Sequence, residues 1–289
     1  MEKKGNRITP ESAVESCRRQ ARRFDFERYL ATLFAPRRQR PALWILLAFN
    51  AETARIREIV SEPAIGRIRL QWWREVLETA AAGGPARQHE VAAPLTAALR
   101  AGRLDPALLA DLIDGRERDL DDAPMADEDA LADYAGRTGG VLAEAMATAA
   151  ENGHASETAR QAARALGTGW ALAGILRATG FHAARGRQLL PQSVLAAGAA
   201  GPGDLLERRA TPGVRAAAGT VAAMARDRLA AVAGTGGPAD RLLVLKPVAA
   251  AQLDRLERGG FDPFAAPDRL APAHILALML GARWLGRGI

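Results

Sequence analysis

The sequence predicts an all-α fold in a single domain. Hydrophobic residues make up 48% of the 289 positions, and much of that share is alanine, which favours helix and close helix packing over sheet. Apolar residues recur at helical spacing in one segment after another. No stretch alternates apolar and polar residues as a strand would, and no repeat or long linker interrupts the chain. A length prior of roughly 150 residues per domain allows one or two domains; the missing linker favours one. Residues 1–12 read as disordered, leaving 13–289 as the domain.

In chain order, Pro36 precedes RRQRPALWILLAFNAETARIREIVSEP, where positions 43, 46, 47, 50, 54, 57 and 58 share one stripe. The stripe begins as Leu43, Leu46 and Leu47 and ends as Asn50, Ala54, Arg57 and Glu58. An apolar face thus turns polar along one side of a single predicted helix, which Pro63 ends. IGRIRLQWWREVLETAAA follows and stops at Gly83-Gly84-Pro85; Trp72 and Trp73 in it point about 100° apart, so one of them can pack in the core. Weaker helices are expected around 89–101 and from Pro106 to near Leu120. Longer ones run from Asp127, as N-cap, to near Ala150, and from Ser156 to near Ala178. Residues 198–203 and 211–213 read as loops, and helices near 213–233, 239–258 and 272–285 complete a set of about nine to eleven.

The composition narrows the function classes. The longest charge-free apolar runs, Ala165–Leu176 and Ala271–Ala282, fall short of the ~20 residues that cross a bilayer. The basic N-terminus has no apolar stretch behind it, unlike a secretory signal; its charged, amphipathic character suits a transit peptide, against which Glu2, Glu11 and Glu15 count. Cys17 stands alone, so no intramolecular disulfide is expected and a reducing compartment fits. A net charge of +6 raises nucleic acid as a partner, yet lysines are only 3 of the 39 basic residues. Arginine bias beside so much alanine reflects GC-rich coding, and no nucleic-acid partner is expected. Residues 1–60 carry 13 basic and 7 acidic side chains, whereas Leu104–Tyr134 carries 11 acidic and 2 basic. The basic front end suits an anionic membrane surface or partner, although a solvated helix face explains it more simply. The acids of Asp111–Asp133 are scattered and read as solvated surface.

From Thr158 to Gly203 there are five arginines and His182 but no Asp or Glu. The chain has no glycine loop for nucleotide phosphates, no cysteine-based metal site and no recognisable nucleophile elbow. His89, His154, His182 and His274 lack ligand spacing and read as structural.

Four segments taken in order resemble the squalene and phytoene synthases. They are LATLFAPRRQRPALWILLAFNAETARIREIVSEP with IRLQWWREVLE, then LIDGRERDLD, YAGRTGGVLAEAM and GWALAGILRATGFHAARGRQLLP; LDRLERGGFDPF resembles that family's tail. The resemblance covers roughly residues 25–265. It implies a single isoprenoid-synthase-type helical bundle around a central cavity, in which two prenyl diphosphates are joined head to head. Active members hold Mg²⁺ on an Asp-x-x-x-Asp pair from each of two facing helices, to neutralise the departing diphosphate. A spacing of four puts both carboxylates of a pair on one helix face.

Laid on this chain, the first pair falls on Ala54 and Glu58 and the second on Ala178 and His182, so three of the four carboxylates are replaced. The neighbouring Arg177, Arg185, Gly186, Arg187 and Pro191 remain as the family has them. Arg55 and Arg57 would repel Mg²⁺, and His182 is a poor ligand for so hard an ion. Asp119 and Tyr134 match positions kept by active members and are expected to serve packing and hydrogen bonding. The degraded motifs resemble one branch of the family, the bacterial relatives of a mitochondrial complex I assembly factor.

The resemblance therefore implies a non-catalytic lipid- or prenyl-binding or scaffolding factor, with no metal site and no cofactor. Asn50, Arg177, His182, Arg185 and Arg187 are the candidates to hold a prenyl phosphate or anionic lipid directly by charge-assisted hydrogen bonds. Respiratory-complex subunits are the implied protein partners, and the implied location is cytoplasmic, peripheral at the inner membrane face. The alternative is a Mg²⁺-dependent prenyltransferase with Glu58, Asp119 and Tyr134 as its catalytic candidates.

Overall fold

The computed structural model describes residues 10–265 and 270–285, and every regular element among them is helical. Of the segment expected to be disordered, residues 1–9 lie outside the described residues, while Pro10–Ser12 open the first helix, α1 (Pro10–Phe24). Neither α1 nor α2 (Phe26–Thr32) stands out in the sequence. The inward face of α1 is Ala13, Cys17 and Ala21, spaced four apart but too small to mark an apolar stripe among so many charges. Those small residues let α1 lie along α3 (Arg40–Ala54). Burial pushes the Cys17 thiol up to about 12, which keeps it protonated and unreactive.

Helix α3 is apolar nearly all round and is buried accordingly, with Leu43, Leu46, Leu47 and Phe49 fully enclosed. The single helix predicted through Glu58 breaks at Arg55, and only one further turn, α4 (Ile56–Ile59), follows. Two features account for the break. The Thr53 hydroxyl donates back to the carbonyls of Phe49 and Asn50, at 3.1 and 3.2 Å, a local bond that competes with the helical ladder and bends it. The Arg55 guanidinium is drawn over the Phe24 ring, 4.1 Å from its centroid.

Next come α5 (Pro63–Ala81), α6 (Ala92–Arg100) and α7 (Pro106–Glu117), the last prolonged by a 3₁₀ turn over Arg118–Leu120. In α5 Trp73 is the core residue, 4% exposed, and the half-buried Trp72 meets it edge to face at 4.8 Å. The helix predicted from Asp127 to Ala150 is two helices, α8 (Glu128–Ala135) and α9 (Val141–Ala150), joined by a π-helical turn over Gly136–Gly140. Asp127 caps α8 as expected, accepting from the Ala130 amide.

Helix α10 (Glu157–Ala183) is 27 residues long and central. Ser156 caps it, and it runs a turn beyond the predicted end, so both Ala178 and His182 belong to it. After α11 (Gln192–Ala197), which the sequence does not announce, and α12 (Pro202–Leu206), which takes up the end of a predicted loop, comes α13 (Pro212–Ala230). Helices α14 (Leu245–Arg258) and α15 (Pro272–Leu285) close the bundle. Helix α10 packs against α9, α13 and the π turn. The π turn can approach because it is made of glycine: a Cβ on Gly139 would lie 2.5 Å from the Gly167 carbonyl oxygen, and one on Gly140 would lie 2.7 Å from Thr168 Oγ1. The extra residue of the π turn slides these glycines against α10.

Candidate functional site

Between α2, α7, the π turn, α9 and α10 lies a cavity of about 160 Å³. Its walls are Gly139, Leu142, Ala171, Gly174, Ile175 and Leu189. Its polar groups are Arg28, Arg116, Tyr134, Thr138 and His182.

A buried network adjoins it, centred on Asp119, which is 7% exposed. The Tyr134 hydroxyl donates to Asp119 Oδ1 at 2.6 Å, and Arg116 reaches Oδ2 at 3.3 Å. Arg187 donates to the Asp119 main-chain carbonyl at 3.3 Å and lies 3.4 Å from Oδ1. The other arm of Arg116 donates to Asn50 Oδ1 at 3.0 Å. Arg116 of α7, Tyr134 of α8 and Arg187 after α10 are thereby tied to Asp119 of the 3₁₀ turn, and Asn50 of α3 joins them through Arg116. Such a network is stable only when its members are satisfied, and it fixes the geometry of one side of the cavity. Burial, and then the neighbouring Asp119 charge, pushes the Tyr134 phenol well above its usual range, so Tyr134 stays a proton donor.

His182 lines the cavity from the last turn of α10. Burial first, then the Arg187 charge, lowers its pKa to about 4, with Asp119 opposing and Arg185 adding a little. The imidazole is therefore neutral near pH 7. Its Nδ1 is buried without a hydrogen-bond partner, and so is Nε of Arg116. Arg28 is held by Asp25 at 2.7 Å and lies over the Trp170 ring at 5.6 Å.

The sequence-derived candidates divide. Asn50, Asp119, Tyr134, His182 and Arg187 converge on the cavity or its network. Arg177 turns instead to Glu27, at 3.0 Å, and Glu27 also accepts from Gln252 at 3.0 Å. Arg185 lies on the outside, its guanidinium 3.6 Å from the centroid of the exposed Phe181, because the chain leaves α10 just before it. Glu58 is exposed on α4, beyond the break at Arg55. The placement of Arg177 and Arg185 thus departs from the expectation that they hold a common ligand, and Glu58, a catalytic candidate of the alternative reading, faces solvent. In the other direction, Arg28 and Arg116 line the cavity and were not singled out. Arg116 sits inside the quoted GRERDLD segment, three residues before Asp119, a spacing that puts the two on one helix face; Arg28 has no comparable signal.

The residues at the four expected carboxylate positions do not fit Mg²⁺. Ala54 and Ala178 offer no ligand, Glu58 faces solvent off a separate turn, and the neutral imidazole of His182 suits softer ions. Asp122, three residues beyond Asp119, is engaged by Arg57 at 2.8 Å. Among the described residues no group of three or more His, Cys, Asp and Glu side chains is placed to share a metal.

Comparison with known proteins agrees with this architecture. The dehydrosqualene synthase solved with a ligand superposes with a TM-score of 0.78 over 97% of this chain and 98% of its own, at 15% identity. A squalene synthase of Alicyclobacillus acidocaldarius gives 0.74 over 88% and 97%, at 22% identity. These two likenesses concern the fold. In sequence, the human NADH dehydrogenase (ubiquinone) complex I assembly factor 6 is 31% identical over 199 residues, which is 69% of this chain and 59% of that protein. Its bovine counterpart is 34% identical over 62% of this chain and 53% of its own. The chain thus spans a little over half the length of these relatives. Phytoene synthase 3 of Zea mays is 30% identical over 68% of the chain and 46% of its own. A sequence model described as squalene/phytoene synthase matches residues 21–275, and with it the chain is a member of the squalene/phytoene synthase family.

Proposed function

We propose that this chain is a non-catalytic member of its family that keeps the helical cavity as a metal-free binding and scaffolding site and acts in the assembly of respiratory complex I. The observation that carries the first half is the pair of altered motif helices. One is interrupted at Arg55 and offers a single, exposed carboxylate, and the other carries a neutral histidine where the family motif has an acid. Without carboxylates facing each other across the cavity, nothing on the chain gathers the metal charge that would draw a diphosphate off an allylic carbon. The second half is supported by the complex I assembly factor 6 relatives from two mammals, 31–34% identical over 62–69% of this chain. Among the described residues no helix is long and apolar enough to cross a membrane, so contact with a membrane-bound complex would be peripheral.

Two measurements test this. Purified protein given labelled farnesyl and geranylgeranyl diphosphate with Mg²⁺ or Mn²⁺ should yield no more coupled product than a no-protein control. Turnover that disappears in Glu58→Ala would overturn the reading. A strain lacking the chain should show less fully assembled complex I on native gels, restored equally by the wild type and by Glu58→Ala.

A further inference from the structure

Helix α15 is apolar on more sides than it buries. Ile275, Met279 and Ala282 face the bundle and are enclosed, where α15 packs against α14 and α2. Leu276, Leu280 and Trp284 are spaced four apart and so run along one side of the helix; they stand outward, 43%, 40% and 75% exposed. A helix apolar all round belongs in a core or in lipid, and nothing among the described residues covers the outward row of α15. Charge, length and area together identify what does. From Leu270 to Ile289 the sequence has no Asp or Glu, and Arg283 is exposed beside the row, its guanidinium 5.5 Å from the centroid of the Trp284 ring. Tryptophan and arginine at one end of an apolar row suit the boundary between lipid head groups and acyl chains, and a rim without acids meets no repulsion from anionic lipids. The helix has 14 residues, short of the ~20 that cross a bilayer, so it would lie in the plane of the surface. At 1.5 Å of rise per residue and ~10 Å across, it offers a strip of about 200 Å², a fraction of the ~800 Å² per partner in a stable protein interface. A second copy of the chain would need more than this face, whereas a bilayer needs no matching surface. The other run of exposed apolar side chains, Ile59, Ile65 and Ile68 on α4 and α5, has the exposed acids Glu58 and Glu62 among its residues.

We propose that the outward face of α15 docks on the surface of an anionic phospholipid bilayer, with Leu276, Leu280 and Trp284 among the upper acyl carbons and Arg283 at the phosphates. The face is separate from the cavity and does not depend on what the cavity holds. It gives the peripheral contact named above a place on the molecule.

The experiment is co-sedimentation of the full chain with vesicles of phosphatidylcholine alone and of phosphatidylcholine mixed with phosphatidylglycerol. The wild type should bind the mixed vesicles more tightly than phosphatidylcholine alone, and less so as salt is raised. Leu280→Glu and Trp284→Ala should each weaken that binding roughly tenfold or more. Both side chains are well exposed, so the melting temperature should hold in both variants, which separates lost docking from lost folding. Arg283→Gln should weaken binding by about fivefold, as one basic residue near an anionic surface does. Ile68→Glu, on the other exposed run, should bind as the wild type does. Undiminished binding by Leu280→Glu and Trp284→Ala, an equal loss in Ile68→Glu, equal binding to the two kinds of vesicle, or no binding at all would each overturn the proposal. So would a dimer in light scattering that Leu280→Glu dissociates, since the face would then belong to a second copy of the chain. None of these results bears on prenyl coupling or on complex I assembly, so failure here and failure of the functional reading are distinct.

Discussion

The segments Ala54–Glu58 and Ala178–His182 hold corresponding positions on two helices and have departed from the family's metal motif in opposite ways. In the first the backbone is interrupted. The helix stops at Arg55, and Glu58, the one acid present, lies at the surface on α4. In the second the helix is uninterrupted: α10 runs through to Ala183, and the positions of the two acids hold a methyl group and a half-buried imidazole. The lesson is that keeping an acid in sequence does not keep it in the site, while losing one can leave the site's shape untouched. The second segment remains tied to the core through Arg187 and Asp119; the first is tied outward, Arg57 to Asp122 and Arg55 to Phe24.

That contrast can be broken most forcefully at Asp119. Asp119→Ala would leave Arg116 and Arg187 buried without their shared counter-charge, and urea denaturation should show a loss of about 3–5 kcal/mol. The same change at Asp122, on the outward side, should cost no more than ~1 kcal/mol, as an exposed pair does.

The next effect is the pH dependence of His182. Its folded pKa of about 4 lies below the ordinary histidine value of 6.5, so between those two values the unfolded chain binds the extra proton. Stability should be fully present above pH 6.5 and fall as the pH drops from 6.5 towards 4. The shift corresponds to at most about 3 kcal/mol. Denaturation midpoints measured across pH 4–7 should flatten in His182→Gln; an unchanged slope would mean that the second segment is less buried than described.

Tyr134→Phe removes one donor from Asp119 and should cost about 1–2 kcal/mol in the same denaturation experiment, with the arginines still in place. Glu58→Ala, the smallest change, should shift stability by less than ~0.5 kcal/mol, as surface substitutions do. A larger loss at Glu58 than at Tyr134 would reverse the comparison, making the first segment the anchored one.

Much of the fold was legible because long apolar stripes and side-chain caps are local signals. Leu43, Leu46 and Leu47 marked α3, and Asp127 and Ser156 marked the starts of α8 and α10. What was not legible depended on partners remote in sequence. The break at Arg55 needs Phe24 from another helix, and the π turn at Gly136–Gly140 needs Gly167 opposite it. The site followed the same rule. The altered positions could be read by laying the family motif on the chain, and Asp119, Tyr134 and Arg187 could be picked out by resemblance, though not their meeting in one network. Arg177 was misplaced because its partner, Glu27, lies 150 residues earlier in the chain. Arg28 was missed because nothing in FDFERYL indicates that its helix would turn one arginine towards Trp170.

The contact of Gly139 with Gly167 also bears on selectivity. Where they meet, the cavity's wall is main chain, and covalent geometry sets its position. A side-chain wall can widen by changing rotamer to admit a bulkier guest; a peptide wall cannot. Anything that enters the cavity should therefore meet a fixed surface at Gly139, whereas the side chains of Leu142 and Leu189 can give way by changing rotamer.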